Sequence, residues 1–199
     1  MYSIWIVTAI QPLGLLEAWL EDARESGETT PAAMALATVR ANGEPSVRIV
    51  SLKEVDASGL VFTTSLGSRK GQDLDSAPSA ALTFWWPRMR RQVRAAGAAE
   101  VLSRDAAERL YSSRPLRHRL QTLVSPQGEP IESLEPLRAE LDELERRYRD
   151  APPPCPDWFG AVRVVPSVLE FWEERPDRLH DRVEYRRCDG GWASRRLAP

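Results

Sequence analysis

The chain has 199 residues, 42% of them hydrophobic and 28% charged, with a formal net charge of −2. That length sets a prior of one domain with room for a substantial core, and the near-neutral balance argues against a general nucleic-acid binder. Two widely separated cysteines, Cys155 and Cys188, and two histidines, His118 and His180, make no metal-ligand cluster and fit a reducing, cytoplasmic compartment.

Residues 1–11 read as an N-terminal arm of unknown role. Met1–Ile10 is apolar, but it lacks a positively charged start and is too short to span a bilayer, which argues against a signal peptide. An extra strand, a flexible arm and a product of start-site choice all remain open. Next, Leu15, Leu16, Trp19, Leu20 and Ala23 recur at helical spacing and predict an amphipathic helix over 12–26. Met34–Arg40 and Val47–Val55 read as strands joined at Asn42-Gly43, a hairpin signal. A third strand, Leu60–Thr64, follows the turn Asp56-Ala57-Ser58-Gly59, and Ser68–Leu74 reads as a short helix.

Strands follow at Ala80–Trp86 and Gln92–Leu102, the second interrupted by Gly97, and Ser103 suits the N-cap of a helix over 105–112. Pro115–Pro130 has weak periodicity and reads as a long loop with room for one helical turn; such loops often carry function. Leu134, Leu137, Leu141, Leu144 and Tyr148 mark the clearest helix, over 134–149. The run from Ala151 to Pro156 then breaks it as a stiff connector. Strands return at Ala161–Val165, Val168–Glu174, Arg182–Arg187 and Gly191–Arg196, with Asp189-Gly190 as a second hairpin turn. Hairpin-joined strands with helices between groups predict a mainly β fold: an antiparallel barrel with peripheral helices. There is no Gly-x-Gly-x-x-Gly and no Gly-x-x-x-x-Gly-Lys, so the usual dinucleotide and nucleoside-triphosphate loops are missing.

Five segments could carry chemistry. Arg178-Leu179-His180-Asp181-Arg182 places two guanidiniums, a histidine and a carboxylate together. If they extend from a strand, Arg178, His180 and Arg182 share one face, suited to a planar phosphorylated ligand. A solvated, salt-bridged strand end is the alternative. In Arg48-Ile49-Val50-Ser51-Leu52-Lys53 the two cations fall on opposite faces of an ideal strand, so serving one ligand requires a bulge or a contact at the strand end. Thr63-Thr64-Ser65-Leu66-Gly67-Ser68-Arg69-Lys70 leads from strand to helix start, where free N–H groups and two cations suit a phosphate. Cations in a first turn oppose the helix dipole, a conflict that a bound anion removes; an ordinary surface turn is the alternative. Gln92 could bond a heteroaromatic edge or simply face solvent. Tyr111–His118 is dense in phosphate-binding side chains, although helix capping and a solvated loop describe it as well. A Ser/His/Asp hydrolase has no support, because there is no Gly-x-Ser-x-Gly elbow and Asp181 directly follows His180.

Taken in order, Arg48-Ile49-Val50-x-Leu52-Lys53, Gly67-Ser68-Arg69-Lys70, Arg91-Gln92-Val93, Ser113-Arg114-Pro115, Glu170-Phe171-Trp172, Arg178-Leu179-His180-Asp181-Arg182 and the closing Arg195-Arg196-Leu197-Ala198-Pro199 resemble the FMN-dependent pyridoxine/pyridoxamine 5′-phosphate oxidase family. The resemblance covers residues 12–199 and implies a single FMN-binding split β-barrel domain, paired as a homodimer with two FMN sites at the interface. It implies that Arg48, Ile49, Val50, Ser51, Leu52 and Lys53 line the flavin. Thr63 and Thr64 would lie near its ring and ribityl chain, the first replacing a usual tyrosine, and Arg69 and Lys70 would grip its phosphate. Gln92, Trp172 and Arg182 match flavin contacts from the partner subunit; Gln127 matches another, with Gly128 where a serine is expected.

For the substrate, Lys53 and Arg114 match two of the family's four phosphate ligands, while Leu110 stands at the tyrosine position and His118 at the serine position. Tyr111 is adjacent but would point elsewhere on a helix. Arg178 and His180 match the pair that contacts the pyridine ring, and are the implied catalytic residues. The implied reaction oxidises pyridoxamine or pyridoxine 5′-phosphate to pyridoxal 5′-phosphate, with O2 reduced to H2O2. A related oxidase of a non-phosphorylated aromatic metabolite, of the phenazine-biosynthesis type, is the alternative that Leu110 and His118 favour. A non-catalytic flavin- or pyridoxal-phosphate-binding protein is a third.

Overall fold

Side chains alternate in and out along most of the strands, and this builds the barrel. In β5 (Ser79–Trp86) Ala80, Leu82, Phe84 and Trp86 are buried while Ser79, Ala81 and Trp85 face outward; β2 (Ala33–Val39) buries Met34, Leu36 and Thr38 in the same rhythm. The computed structural model describes residues 6–8 and 11–199. Its other strands are β1 (Ile6–Thr8), β3 (Pro45–Asp56), β4 (Gly59–Ser65), β6 (Arg91–Val101), β7 (Phe159–Glu173), β8 (Asp181–Cys188) and β9 (Gly191–Arg196). The helices are α1 (Pro12–Glu25), α2 (Arg69–Ser76), α3 (Arg104–Ser112), α4 (Leu116–Val124) and α5 (Glu135–Arg147).

The strand order is β1-β9-β8-β7-β4-β3-β2-β5-β6, and β7 also pairs with β6. Six strands, β7-β4-β3-β2-β5-β6, therefore close into the expected antiparallel barrel, which removes their free edges. Both predicted hairpin turns are present. At the first, Gly43 sits at φ +87° and Arg40 bonds Glu44 across the turn. In the N-terminal arm, Ile6–Thr8 pairs with β9 from Ile6↔Ser194 to Thr8↔Trp192, and Gln11 is the N-cap of α1. Residues 1–5 and 9–10 of the arm lie outside the described residues. Among the described residues no helix is long and apolar enough to cross a membrane.

Three local expectations change. β6 runs unbroken through Gly97, because the missing side chain is what lets β7 close the barrel there: a Cβ on Gly97 would stand 2.0 Å from the Val165 carbonyl oxygen. Gly97→Ala is accordingly expected to cost about 3 kcal/mol, read as a lowered urea midpoint. β7 is one strand rather than two, since Pro166 is compatible with extended backbone, and its carbonyl accepts from Arg187 Nε at 3.2 Å. The predicted loop after Pro115 contains a helix of 9 residues, α4, whose apolar face is Leu116, Leu120 and Val124 at intervals of four. The cations between those residues dilute the periodic signal.

The chain divides into two compact units. One comprises the residues up to Phe62 with Asp73–Glu100 and Arg163–Pro199; the other comprises Thr63–Gln72 and Val101–Val162. In the first, α1 buries Leu13, Leu16, Leu20 and Ala23 on one stripe, and Trp19 meets Phe171 edge to face at 5.1 Å, with the Arg91 guanidinium over its ring. In the second, Ser103 caps α3 as expected, accepting from the Ala106 N–H at 3.3 Å. The stripe of α5 is strongly periodic, yet none of its residues is fully buried; Leu137, Leu141 and Leu144 are only half-covered, and Arg117 bridges to Glu145 at 2.7 Å. Periodicity places a helix, but burial depends on what packs against it.

Candidate active site

In the second unit, β4 delivers Thr63, Thr64 and Ser65 to a turn that opens α2. Ser68 Oγ donates to the Ser65 carbonyl at 2.6 Å, and the Gln72 N–H bonds the Ser68 carbonyl at 3.0 Å, which fixes the helix start. Lys70 Nζ lies 3.2 Å from Thr64 Oγ1, 3.2 Å from Ser68 Oγ and 3.0 Å from Gln127 Oε1, and Thr64 Oγ1 is 3.3 Å from the same glutamine oxygen. Thr64, Lys70 and Gln127, from three places in the sequence, thus meet at one point, with Ser68 as an added hydroxyl. Arg69 is exposed at the same helix start, and no acidic side chain occupies that first turn.

A cavity of about 150 Å3 adjoins this cluster, lined by Thr63, Thr64, Arg114, Thr122, Gln127 and Phe159 among others. Arg114 Nη1 donates to Thr122 Oγ1 at 2.5 Å, and that hydroxyl donates onward to the His118 carbonyl at 2.8 Å. The guanidinium lies 5.5 Å over the Phe159 ring, which Tyr111 meets edge-on at 5.2 Å; the Tyr111 hydroxyl bonds the Arg119 carbonyl at 3.2 Å. Burial lowers the Arg114 pKa, and the nearby Tyr111 acts against that shift. Arg114 Nε and Nη2 have no partner among the described residues. A half-buried guanidinium with spare donors in a hydroxyl-lined cavity is suited to an anion.

Two predicted substrate positions do not share this cavity. Leu110 is core, at 6% exposure, and His118 is exposed on α4 without lining it. Thr122 and Phe159 carry no sequence signal for this role, and Tyr111, from the candidate segment Tyr111–His118, packs behind Arg114 against Phe159. Thr122 stands two turns beyond Arg114, a relation hidden while α4 reads as loop.

In the first unit, Lys53 sits where the β3–β4 register slips: Leu52 faces Phe62, but Glu54 faces Val61. Alternation is nevertheless unbroken from Arg48, which is half-buried, to Lys53, which is exposed, so the slip begins at Lys53 and the two cations keep opposite faces. Arg48 itself is tied inward. Its Nη1 donates to Thr38 Oγ1 at 2.7 Å and to the Leu36 carbonyl at 3.2 Å, its Nη2 to Ser46 Oγ at 2.6 Å, and Asp73 lies 3.4 Å away. Burial lowers its pKa, and Asp73 opposes that. Between these cations Ile49 is 69% exposed, Ser51 is exposed, Val50 is half-covered and Leu52 is buried.

Trp172 lies opposite Arg182 in the β7–β8 register, 6.0 Å from Trp85 and 4.8 Å from His180 by ring centroid; Gln92 on β6 pairs with Trp85 on β5. Arg182 grips the buried Glu170 with Nε at 2.9 Å and Nη2 at 2.8 Å. Arg178 and His180 precede β8 rather than extending it. Arg178 has φ +65°, so strand alternation does not place Arg178, His180 and Arg182 on one face. Among the described residues the Arg178 guanidinium has no partner, whereas Arg175, Arg182 and Arg196 around it are all paired with carboxylates. In the second unit Thr63, Thr64, Lys70, Arg114 and Gln127 surround one cavity and its adjoining cluster, whereas in the first unit Arg48–Lys53 on β3 and Trp172, His180 and Arg182 around β8 are separate sets.

Comparison with known proteins adds a lineage to this geometry. Residues 20–148 match the family model described as pyridoxamine 5′-phosphate oxidase, and residues 159–199 match that of the pyridoxine 5′-phosphate oxidase C-terminal dimerisation region. A pyridoxine/pyridoxamine 5′-phosphate oxidase of Pseudomonas paraeruginosa is 44% identical over 190 residues, covering 94% of this chain and 88% of the relative. One from Microcystis aeruginosa is 42% identical over 193 residues, covering 96% and 90%. Among solved structures, PhzG from Burkholderia lata, in complex with tetrahydrophenazine-1-carboxylic acid, aligns over 100% of both chains with a TM-score of 0.90 and 29% identity.

Proposed function

The chain belongs to the pyridoxamine 5′-phosphate oxidase family, and we propose that it is an FMN-dependent oxidase converting pyridoxamine or pyridoxine 5′-phosphate to pyridoxal 5′-phosphate, with O2 giving H2O2. The observation that carries the substrate reading is Arg114, whose spare N–H donors meet a polar cavity beside the Lys70 cluster. The residues also fit the cofactor. An ammonium with two hydroxyls within 3.2 Å, at a helix start free of acidic side chains, is a donor set for the FMN phosphate, and Arg69 adds charge.

FMN, when bound, would supply a two-electron acceptor that dioxygen reoxidises. The chain's own residues bind and orient. Lys53 and Arg114 hold the substrate phosphate, Arg178 holds the pyridine ring and favours negative charge developing on it, and His180 contacts a ring substituent. Arg48 through Lys53, Thr63, Thr64 and Gln127 line the flavin. Gln92, Trp172 and Arg182 reach the flavin of a partner subunit, in a homodimer built on the C-terminal region. Two free cysteines, Cys155 and Cys188, suit the cytoplasm.

A second reading, oxidation of a non-phosphorylated aromatic acid, draws on Leu110 and His118, which add no donor to the Arg114 cavity. Anaerobic mixing of the yellow purified protein with each substrate class separates the two. Bleaching by pyridoxamine 5′-phosphate is expected; bleaching only by a tricyclic aromatic acid would establish the second reading. No bleaching by either would leave a non-catalytic flavoprotein.

A further inference from the structure

The turn between β7 and β8 is built around one arginine, Arg175. Its side chain is anchored: Nε donates to Asp181 Oδ2 at 2.7 Å, and Nη2 lies 2.6 Å from that oxygen and 2.9 Å from Glu173 Oε2. Arg196 pairs with the other oxygen, Oδ1, of Asp181. The hydrogen bond from Arg175, with support from Arg196, holds the Asp181 carboxyl below the usual carboxylate range, so it is a fixed anion between two cations.

The Arg175 backbone faces the other way. Its N–H donates to His180 Nδ1 at 3.1 Å, and its carbonyl accepts the Arg178 N–H at 3.1 Å. One residue clasped by Asp181 therefore touches both members of the substrate-facing pair through its main chain. A ring nitrogen that accepts an N–H carries no proton, so the neutral His180 ring has its proton on Nε2. Trp172, 4.8 Å away at 50°, sets the ring plane.

We propose that Asp181 is a positioning residue: acting through Arg175, it holds His180 as an Nε2–H donor and Arg178 in its left-handed conformation. The inference rests on Arg178 and His180 as the substrate-facing pair, and it gives His180 the task of donating a hydrogen bond to a ring substituent rather than accepting a proton. A carboxylate two hydrogen bonds removed from the His180 ring thereby sets the chemistry that the substrate meets.

Nitrogen-15 NMR of the histidine rings tests this on the flavin-loaded protein without substrate, at a pH where imidazole is neutral. There are only two histidines, so His180→Asn assigns both. An unprotonated Nδ1 and a protonated Nε2 are expected for His180. In Asp181→Asn both nitrogens should move toward the averaged shifts of free imidazole. Turnover should fall about 10- to 100-fold with flavin affinity unchanged, and Asp181→Glu should restore part of it. Should Asp181→Asn not fold, Arg175→Met removes the same clasp from the other side and is read the same way. A proton on Nδ1 in the wild type, or an unchanged tautomer and rate in the variants, overturns the proposal. If the wild type shows the expected tautomer yet fails to oxidise pyridoxamine 5′-phosphate, the positioning role stands and the substrate reading falls.

Discussion

Arg114→Ala raises KM for pyridoxamine 5′-phosphate by about 100-fold or more, with flavin affinity little changed. The expectation follows from what the guanidinium has left to give. Nη1 is spent on Thr122, but Nε and Nη2 are uncommitted, and the ring of Phe159 keeps the fork from swinging toward solvent. Each charge-assisted bond to a phosphate oxygen is worth about 1.5–3 kcal/mol, and two such bonds give a factor of about 10² to 10⁴ in affinity. Lysine is a poor substitute, since a point charge neither stacks on Phe159 nor donates from a planar fork, so Arg114→Lys should fall between wild type and alanine. Steady-state kinetics with pyridoxamine and pyridoxamine 5′-phosphate in parallel give the check. The loss should be confined to the phosphorylated compound. An unchanged KM in Arg114→Ala would remove the phosphate anchor and with it the case for a phosphorylated substrate.

The altered positions around Arg114 show how far a sequence motif carries. Ser113-Arg114-Pro115 marks the proposed anchor, but its surroundings depend on α4, whose apolar face is separated by Arg117, His118, Arg119 and Gln121 and so reads as loop. Once the helix is present, Thr122 comes back to Arg114 across two turns. Short-range chemistry is written where strands alternate and turns carry Asn-Gly or Asp-Gly, which is why the barrel was legible. Lys53 is an intermediate case. Its cooperation with Arg48 requires a bulge between the two, whereas the register slip falls at Lys53 itself, with Arg48 half-buried and Lys53 exposed. Arg48 shows the limit, because nothing local foretells that Thr38, Ser46 and Asp73 would hold its guanidinium. Contacts from distant segments are set by topology, and topology is a property of the whole barrel.

Arg178 offers a test in which stability and activity separate. A non-glycine residue at φ +65° carries about 1–2 kcal/mol of backbone strain, and no ion pair or hydrogen bond of its side chain repays that among the described residues. The backbone N–H of Arg178 serves the turn through the Arg175 carbonyl, but an arginine side chain with no bond of its own at so strained a position points to use of the guanidinium by a ligand. Arg178→Ala keeps the strain and deletes the guanidinium; Arg178→Gly deletes both, at the cost of extra freedom in the unfolded chain. The glycine variant is therefore expected to be more stable than the alanine variant by about 1 kcal/mol in urea unfolding, and no less stable than wild type. Both should lose kcat/KM by about 10²- to 10³-fold, the scale for removing one preorganised charge from a reacting centre. Equal midpoints for glycine and alanine would show that the turn is not strained. Wild-type turnover in either variant would show that the uncommitted arginine is merely solvated, and the substrate-facing role would pass to His180 alone.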